Sequence, residues 1–564
     1  MSKTKPLNYT LLCATALGSL LLTRPAAAQS DAQIQAIEKQ IKELQSQLGQ
    51  VKADLAARDR ALKAAQQQAK AAHDQAAAAA TEAAAAATQA AQAAAATPPP
   101  AQVVEAPAPP PGPPLPKGAF KVGELTVTLG GFAALEGVYR SRNMASSIDT
   151  AFNSIPLPNS PNYHMPEYRE TAQQSRFSLM TEGRLDDVQK LTGYLETDFL
   201  SAGSSSNSNQ SNSYTLRLRQ FWGNYDNNSL GLHVLAGQTW SLATMYRIGI
   251  VPRQENVPLT IDAQYVVGFN WERQATLRVV KDFDDRKIWA GFSIEEPQTL
   301  FGSQAGNNCL TGATAPTATG GGTLEYTQCG GANVNSIQAY SDNYAPDLIA
   351  KVATDPGWGH YELYGLLRFL DGRVSFATTG SGKGYETTGE GIGGGMILPL
   401  VPQMLDFQVS GLIGQGVGRY GTSQLPDATF SPTGKIEPLS NYSIMGGFVG
   451  HPIPTVDIYA YGGAEGVGNK SFAGSFGYGN PNTNLSGCTA ELGTCAAVTS
   501  AIVEGTIGAW WRVIQSNVGT VQIGAQYAYV DRNTYQGLGP KGTTLSPSTN
   551  QNMFLFSLRY LPFQ

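Results

Sequence analysis

The sequence predicts an all-β transmembrane barrel of 16 antiparallel strands, preceded by an N-terminal α-helical coiled-coil extension. Three observations predict it. Past Gly118 the chain breaks into segments of about 10 residues with period-2 alternation and dense aromatics. The connections between these segments alternate between long and short. No stretch beyond the first residues reaches the ~18 consecutive apolar residues of a membrane-crossing helix, so a chain with this patterning crosses as strands.

Residues 1–28 carry Lys3 and Lys5, an apolar run from Leu11 to Leu22 and then Ala26-Ala27-Ala28 before Gln29. That three-part pattern predicts a secretory signal peptide cleaved before Gln29. A membrane anchor is the alternative, but the run is short of the ~20 residues that crossing requires.

Residues 29–96 predict a periplasmic helix. Ile34, Ile37, Ile41, Leu44, Leu48, Val51, Leu55 and Leu62 recur at a 3-4 spacing, interrupted only by Arg58, and form a narrow seam that copies of the chain would bury against one another. Isoleucine at both core positions of the first heptads shifts a parallel coiled coil away from dimers, so a homotrimer is expected. The Ala-rich continuation to Ala96 is helical by propensity alone. Residues 97–119, with Pro98-Pro99-Pro100 and Pro109-Pro110-Pro111, form a Pro-rich linker in extended polyproline conformation.

The barrel is expected over 120–564. Its strands fall at 124–140, 173–184, 188–200, 214–226, 230–240, 273–282, 286–296, 346–354, 358–370, 388–400, 404–415, 440–450, 455–465, 500–514, 518–531 and 551–563, with Tyr265–Trp271 as a possible extra short strand. Asp186-Asp187, Asn227-Asn228-Ser229, Asp284-Asp285 and Asp355-Pro356-Gly357 read as tight turns. Residues 141–172, 241–272, 297–345, 416–439 and 466–499 are long and rich in Gly, Asn, Ser and Thr. A barrel with short periplasmic turns and long external loops must show this alternation, and an even strand number puts both ends on the periplasmic side. A soluble secreted sandwich has no reason to keep it. Within strands, Leu191, Leu195 and Phe199 share the face expected to meet lipid, while Thr192, Glu196 and Asp198 share the other. Tyr139, Trp240, Trp289, Trp358, Phe369, Trp510 and Tyr560 lie near segment ends, where interfacial girdles are expected.

After signal removal four cysteines remain, an even number in an exported chain. The two close pairs predict disulfides Cys309–Cys329 and Cys488–Cys495, stapling external loops. The net charge of −5 gives no reason to expect nucleic acid as a partner. Five isolated histidines suggest neither a metal site nor a triad, so no enzyme activity and no cofactor are expected. The run Gly389, Gly391, Gly393, Gly394, Gly395 lacks the Lys and helix of a phosphate loop and reads as a strand that permits close packing, at a subunit contact for instance.

The constellation that bears on function is positive charge on strand faces: Arg176, Arg217, Arg219, Arg278 and Arg368. A guanidinium facing lipid at mid-depth costs about 2–4 kcal/mol, so these side chains are expected to line the lumen, where they offset the desolvation of passing anions. The bland alternative is that they pair with Glu182, Glu196, Asp198 and Glu362. Arg247 and Arg253, in 241–272, are expected to narrow the pore if that connection folds inward.

The heptads 34–62, Ser175-Arg176-Phe177-Ser178-Leu179, Leu216-Arg217-Leu218-Arg219-Gln220, Ala236-Gly237-Gln238-Thr239-Trp240-Ser241 and Arg273-Gln274-Ala275-Thr276-Leu277-Arg278, in this order, resemble the DcaP-like trimeric porin family of Gram-negative outer membranes. The resemblance covers most of the mature chain. It implies passive uptake of small anionic solutes, dicarboxylates being the family's usual association, through a pore in each subunit of a homotrimer embedded in outer-membrane lipid. Barrels of this kind commonly end on an aromatic residue, whereas here Phe563 is followed by Gln564. The competing expectation is a structural outer-membrane tether whose coiled coil grips the cell wall.

Overall fold

The computed structural model describes residues 115–201, 209–302, 317–330, 335–473 and 476–563, together with Lys42, Gln45, Gly49, Lys63, Gln67 and Lys70. The signal segment, the linker up to residue 114, all eight predicted coiled-coil core positions and Cys309 lie outside the described residues. The chain divides into two units, Met1–Pro111 and Gly112–Gln564.

The second unit is a closed barrel. Among the described residues, sixteen long strands follow one another, each antiparallel to the next. They are β1 (Leu125–Arg140), β2 (Arg176–Arg184), β3 (Gln189–Asp198), β4 (Arg217–Asn227), β5 (Leu232–Trp240), β6 (Arg273–Phe283), β7 (Ile288–Glu295), β8 (Asp347–Thr354), β9 (His360–Phe376), β10 (Ser381–Val401), β11 (Leu405–Gln415), β12 (Ser440–Ile453), β13 (Val456–Val467), β14 (Thr499–Ser516), β15 (Gly519–Thr534) and β16 (Ser548–Leu561). Each overlaps one predicted segment. Closure is direct: β1 pairs with β2 from Thr126↔Glu182 to Phe132↔Arg176, and with β16 from Ala133↔Tyr560 to Arg140↔Met553. The sixteen strands close on themselves, so the barrel wall has no edge strand.

Period-2 alternation sorts the two faces. Phe177, Leu191, Phe221, Leu277, Phe292, Ile392, Ile444, Ile507 and Phe556 point outward and are exposed, forming an apolar band. Ser178, Thr192, Glu196, Asn224, Thr276, Gln408, Ser443, Thr506, Gln526 and Ser557 point inward. No helix among the described residues is long and apolar enough to cross a membrane.

Three expectations change. Trp240, Trp289 and Trp510 are not girdle residues: with 4%, 1% and 5% exposure they face the interior. Strand parity decides this, since Trp510 precedes the outward Trp511, which is 52% exposed. Tyr139, Trp358 and Tyr560 do face outward. The segment 371–387 is not a loop, because β9 and β10 continue as a paired ribbon from Leu370↔Thr387 to Phe376↔Ser381. Leu370 and Val374 there pack with Leu324, Phe430 and Ile436 from two other connections, a satellite core that supports the ribbon past the barrel rim. Tyr265–Trp271 is not a strand; its only sheet pairing is the single bridge Asn270↔Gly421.

Cys488 and Cys495 are disulfide-bonded within the connection between β13 and β14. The alternate glycines Gly391, Gly393 and Gly395 of β10 face inward. A Cβ on Gly395 would lie 2.4 Å from the Met245 sulfur, and one on Gly393 2.3 Å from the Tyr364 ring. The close packing that these three glycines permit is internal.

Candidate functional site

The connection 241–272, between β5 and β6, folds into the barrel and crosses it. Its first part is seated on the wall formed by β6–β9. The Leu242 N–H donates to Glu295 Oε1 (2.8 Å), the Tyr246 N–H to Glu362 Oε2 (3.2 Å) and the Gly249 N–H to Asp355 Oδ2 (2.9 Å), while Lys351 Nζ donates to the Thr244 carbonyl (2.8 Å). Leu242, Tyr246 and Ile250 are buried with Val280, Trp289, Ile349 and Leu366 of the same wall.

A turn follows, closed by Arg247 N–H to the Gln254 carbonyl (2.7 Å) and Asn256 N–H to the Met245 carbonyl (2.7 Å). The rest of the loop is seated on the opposite wall, β12–β16. Trp510 Nε1 donates to the Leu259 carbonyl (2.7 Å), and the N–H groups of Ile261, Val267 and Gly268 donate to Gln526 (2.6 Å), Glu504 (2.8 Å) and Glu465 (2.7 Å). Gly268 is obligatory here. Its φ is +89° and a Cβ would lie 2.0 Å from the Ile444 carbonyl oxygen.

The polar wall of the sequence pattern therefore serves first as a set of acceptors for an inserted backbone, whose N–H groups must be satisfied away from water. Burial acts on the loop's own acids. It pushes Glu255 up to about 7 and Asp262 up to about 6, the latter against the lowering effect of Arg140.

The loop separates the arginines into two groups. On β2–β4, Arg219 is buried and held by Glu196 Oε1 (2.5 Å) and Asp198 Oδ2 (2.8 Å). Arg217 is bidentate to Asp198, with both contacts at 2.8 Å, and Arg176 lies 3.8 Å from Glu196. Arg368 is fully buried between Asp347 (3.0 Å) and Asp427 (2.9 Å). Arg278 is buried, has no carboxylate partner among the described residues, and donates to Tyr246 Oη (2.6 Å) and the Trp240 carbonyl (2.5 Å). Arg219, Arg278 and Arg368 thus stand behind the loop and not in open space.

Arg247 and Arg253 are exposed, and among the described residues neither has a carboxylate within ion-pair distance. Arg253 lies over the Tyr194 ring at 4.8 Å. It borders a cavity of about 430 Å³ with Lys190, Trp222 and Trp289, whereas Arg247 borders a second cavity, of about 520 Å³, with Gln408, Tyr461 and Arg512.

Sequence reading missed the ties that hold the loop. Lys351 and Glu362 form a fully buried pair at 2.7 Å, and His360 lies between Glu362 (3.2 Å) and Asp355 (2.8 Å). Parity was the available signal, since Lys351 shares its strand face with the buried Ile349 and Ala353. Among the described residues no group of His, Cys, Asp and Glu is placed to hold a metal ion.

No protein-family model matches the sequence, and no curated protein matches it either. Solved structures do match. The outer membrane channel DcaP of Acinetobacter baumannii is 17% identical over 79% of this chain and 100% of its own, with a TM-score of 0.51. The anion-selective porin from Comamonas acidovorans is 11% identical over 78% of this chain and 100% of its own, with a TM-score of 0.40. The trimer form of OmpT from Vibrio cholerae is 10% identical, with the same coverages and TM-score. The likeness to DcaP, in line with the resemblance read from the sequence, establishes the barrel fold.

Proposed function

We propose that this chain is an outer-membrane porin that admits small solutes by passive diffusion, with a preference for anions set by Arg247 and Arg253. The observation that carries the reading is the loop 241–272, which crosses a closed barrel and presents two guanidinium groups, without carboxylate partners among the described residues, to cavities on its surface. A positive charge placed where a solute must shed part of its hydration favours carboxylates and phosphates. Arg219 and Arg368 are neutralised by their own acids and contribute to the wall instead. Arg176 and Arg217, only partly covered, add a lesser positive contribution.

The signal segment and the apolar outer band support placement in the outer membrane, with the N-terminal extension in the periplasm. The Ile-rich heptads support a homotrimer. Dicarboxylates are the solute class that the family resemblance brings.

The test is conductance in planar bilayers with the full mature chain. Current steps in groups of three and an anion-selective reversal potential are expected, and R247Q/R253Q should reduce that selectivity severalfold. Non-conducting protein would overturn the reading, and selectivity unchanged in the double variant would overturn the assignment of these residues. Deleting 31–116 addresses the tether alternative: a porin keeps its conductance, whereas a cell-wall tether loses its phenotype. Liposome swelling across carboxylates, sugars and amino acids then ranks the solutes.

A further inference from the structure

A third cavity, of about 510 Å³, lies away from the loop that crosses the barrel. Four connections meet there with the ends of β14 and β15. Phe301, Tyr326, Pro426, Tyr478 and Val498 supply its apolar lining, and Arg532 is the one charged residue on it among the described residues. The other two cavities differ in kind, since Glu182 and Asp226 border the first and Asp406 and Asp457 the second.

Arg532 is set in place on two of its three nitrogens. Nε donates to Thr499 Oγ1 (2.8 Å) and Nη1 to the Ile155 carbonyl (2.6 Å), and Thr499 is itself fixed by donating to Asn153 Oδ1 (2.6 Å). Nη2 has no protein partner among the described residues and is not sealed from solvent. Among the described residues no carboxylate lies within ion-pair distance of the group. The aromatic lining is equally fixed. Phe301 packs against Tyr326 (4.7 Å) and Phe430 (4.9 Å), and the Tyr478 hydroxyl donates to the Thr499 carbonyl (2.7 Å).

A preorganised guanidinium with one free edge, facing rigid aromatic walls in a cavity of ligand size, suits an anion with an apolar body. We infer that this cavity is a binding site for carboxylates that carry an aromatic or compact apolar group, taken up at the external mouth before they reach the loop 241–272. The external placement rests on the reading of the chain as a porin; the chemistry of the site does not.

Calorimetry with the purified full mature chain at neutral pH tests it, with benzoate, benzamide and acetate as probes. Benzoate should bind at least about tenfold more tightly than benzamide, which lacks the charge, and than acetate, which lacks the ring. R532Q should weaken benzoate binding about tenfold, R532K should retain part of it, and both variants should keep wild-type conductance in KCl. Benzamide binding as well as benzoate, R532Q binding benzoate like the wild type, or no benzoate binding at all would each overturn the proposal. If R532Q does not fold, the three probes on the wild type still decide. A wild type silent in KCl that binds benzoate would sink the porin reading and leave the site standing.

Discussion

The two walls that hold the loop 241–272 perform the same task with different charge inventories. On the β6–β9 side, two of the three acids that accept the loop's N–H groups sit beside basic side chains: Glu362 pairs with Lys351 at 2.7 Å, and His360 lies between Glu362 and Asp355, while Glu295 accepts from Leu242 without an ion pair among the described residues. On the β12–β16 side, Glu465 and Glu504 accept from Gly268 and Val267 with no cation in ion-pair distance among the described residues. One wall therefore depends on an intact ion pair, and the other uses carboxyls as acceptors that an amide can replace. The loop is consequently expected to fail from its first part when charge is removed, and to tolerate charge removal in its second.

The largest effect is expected at Lys351. K351M leaves Glu362 buried without its lysine partner, and breaking such a pair costs about 3–5 kcal/mol, whereas K351M/E362Q, which removes the stranded charge and keeps an acceptor for the Tyr246 N–H, should recover most of that loss. Thermal melting of the detergent-solubilised barrel measures both. Equal losses in the single and double variants would show that the pair does not hold the loop.

Next comes Glu255, whose carboxyl burial raises from its usual 4.5 to about 7. A raised pKa means that the folded state prefers the protonated acid. The stabilisation is complete below about pH 4.5 and is lost as pH rises through about 7. E255Q should remove this dependence and be more stable than the wild type at pH 8 by about 3 kcal/mol. Parallel melting curves of the two proteins from pH 5 to 8 would contradict it. On the opposite wall, E504Q should change stability by no more than about 1 kcal/mol, because the amide oxygen can still accept from Val267. A loss as large as that of K351M would erase the contrast between the walls.

How far the sequence discloses this arrangement depends on whether the determining partner lies nearby in the chain. Leu191, Thr192 and Glu196 disclose their faces because alternation is local, and Asp186-Asp187 discloses its turn for the same reason. The interior tryptophans do not. Aromatic density near a strand end is the same whether the ring meets lipid or an inserted loop, and only the register of Trp510 beside Trp511 separates the cases. The extension of β9 and β10 depends on Leu324 and Ile436, which alternation within β9 cannot reveal. The arginines illustrate both cases. Arg217 and Arg219 find Asp198, and Arg368 finds Asp347, on the adjacent strand, as cross-strand pairing suggests, but the second acid on Arg368, Asp427, comes from the connection between β11 and β12, which no local pattern links to it.

The smallest effect sharpens the comparison from outside the barrel. Lys287 and Asp284, in the turn between β6 and β7, also form an ion pair, but at 3.7 Å with side chains 55% and 64% exposed. The charges are of the same kind as in Lys351–Glu362, so the difference between the two pairs isolates burial. Exposed pairs of this kind are worth roughly 0–1 kcal/mol because water already solvates each charge and salt screens what remains. K287M should therefore leave the melting temperature within error of the wild type, and raising the salt concentration should not alter that. If K287M instead approached the loss of K351M, pairing itself would be the quantity that matters, and the distinction drawn between the two walls would have no physical basis.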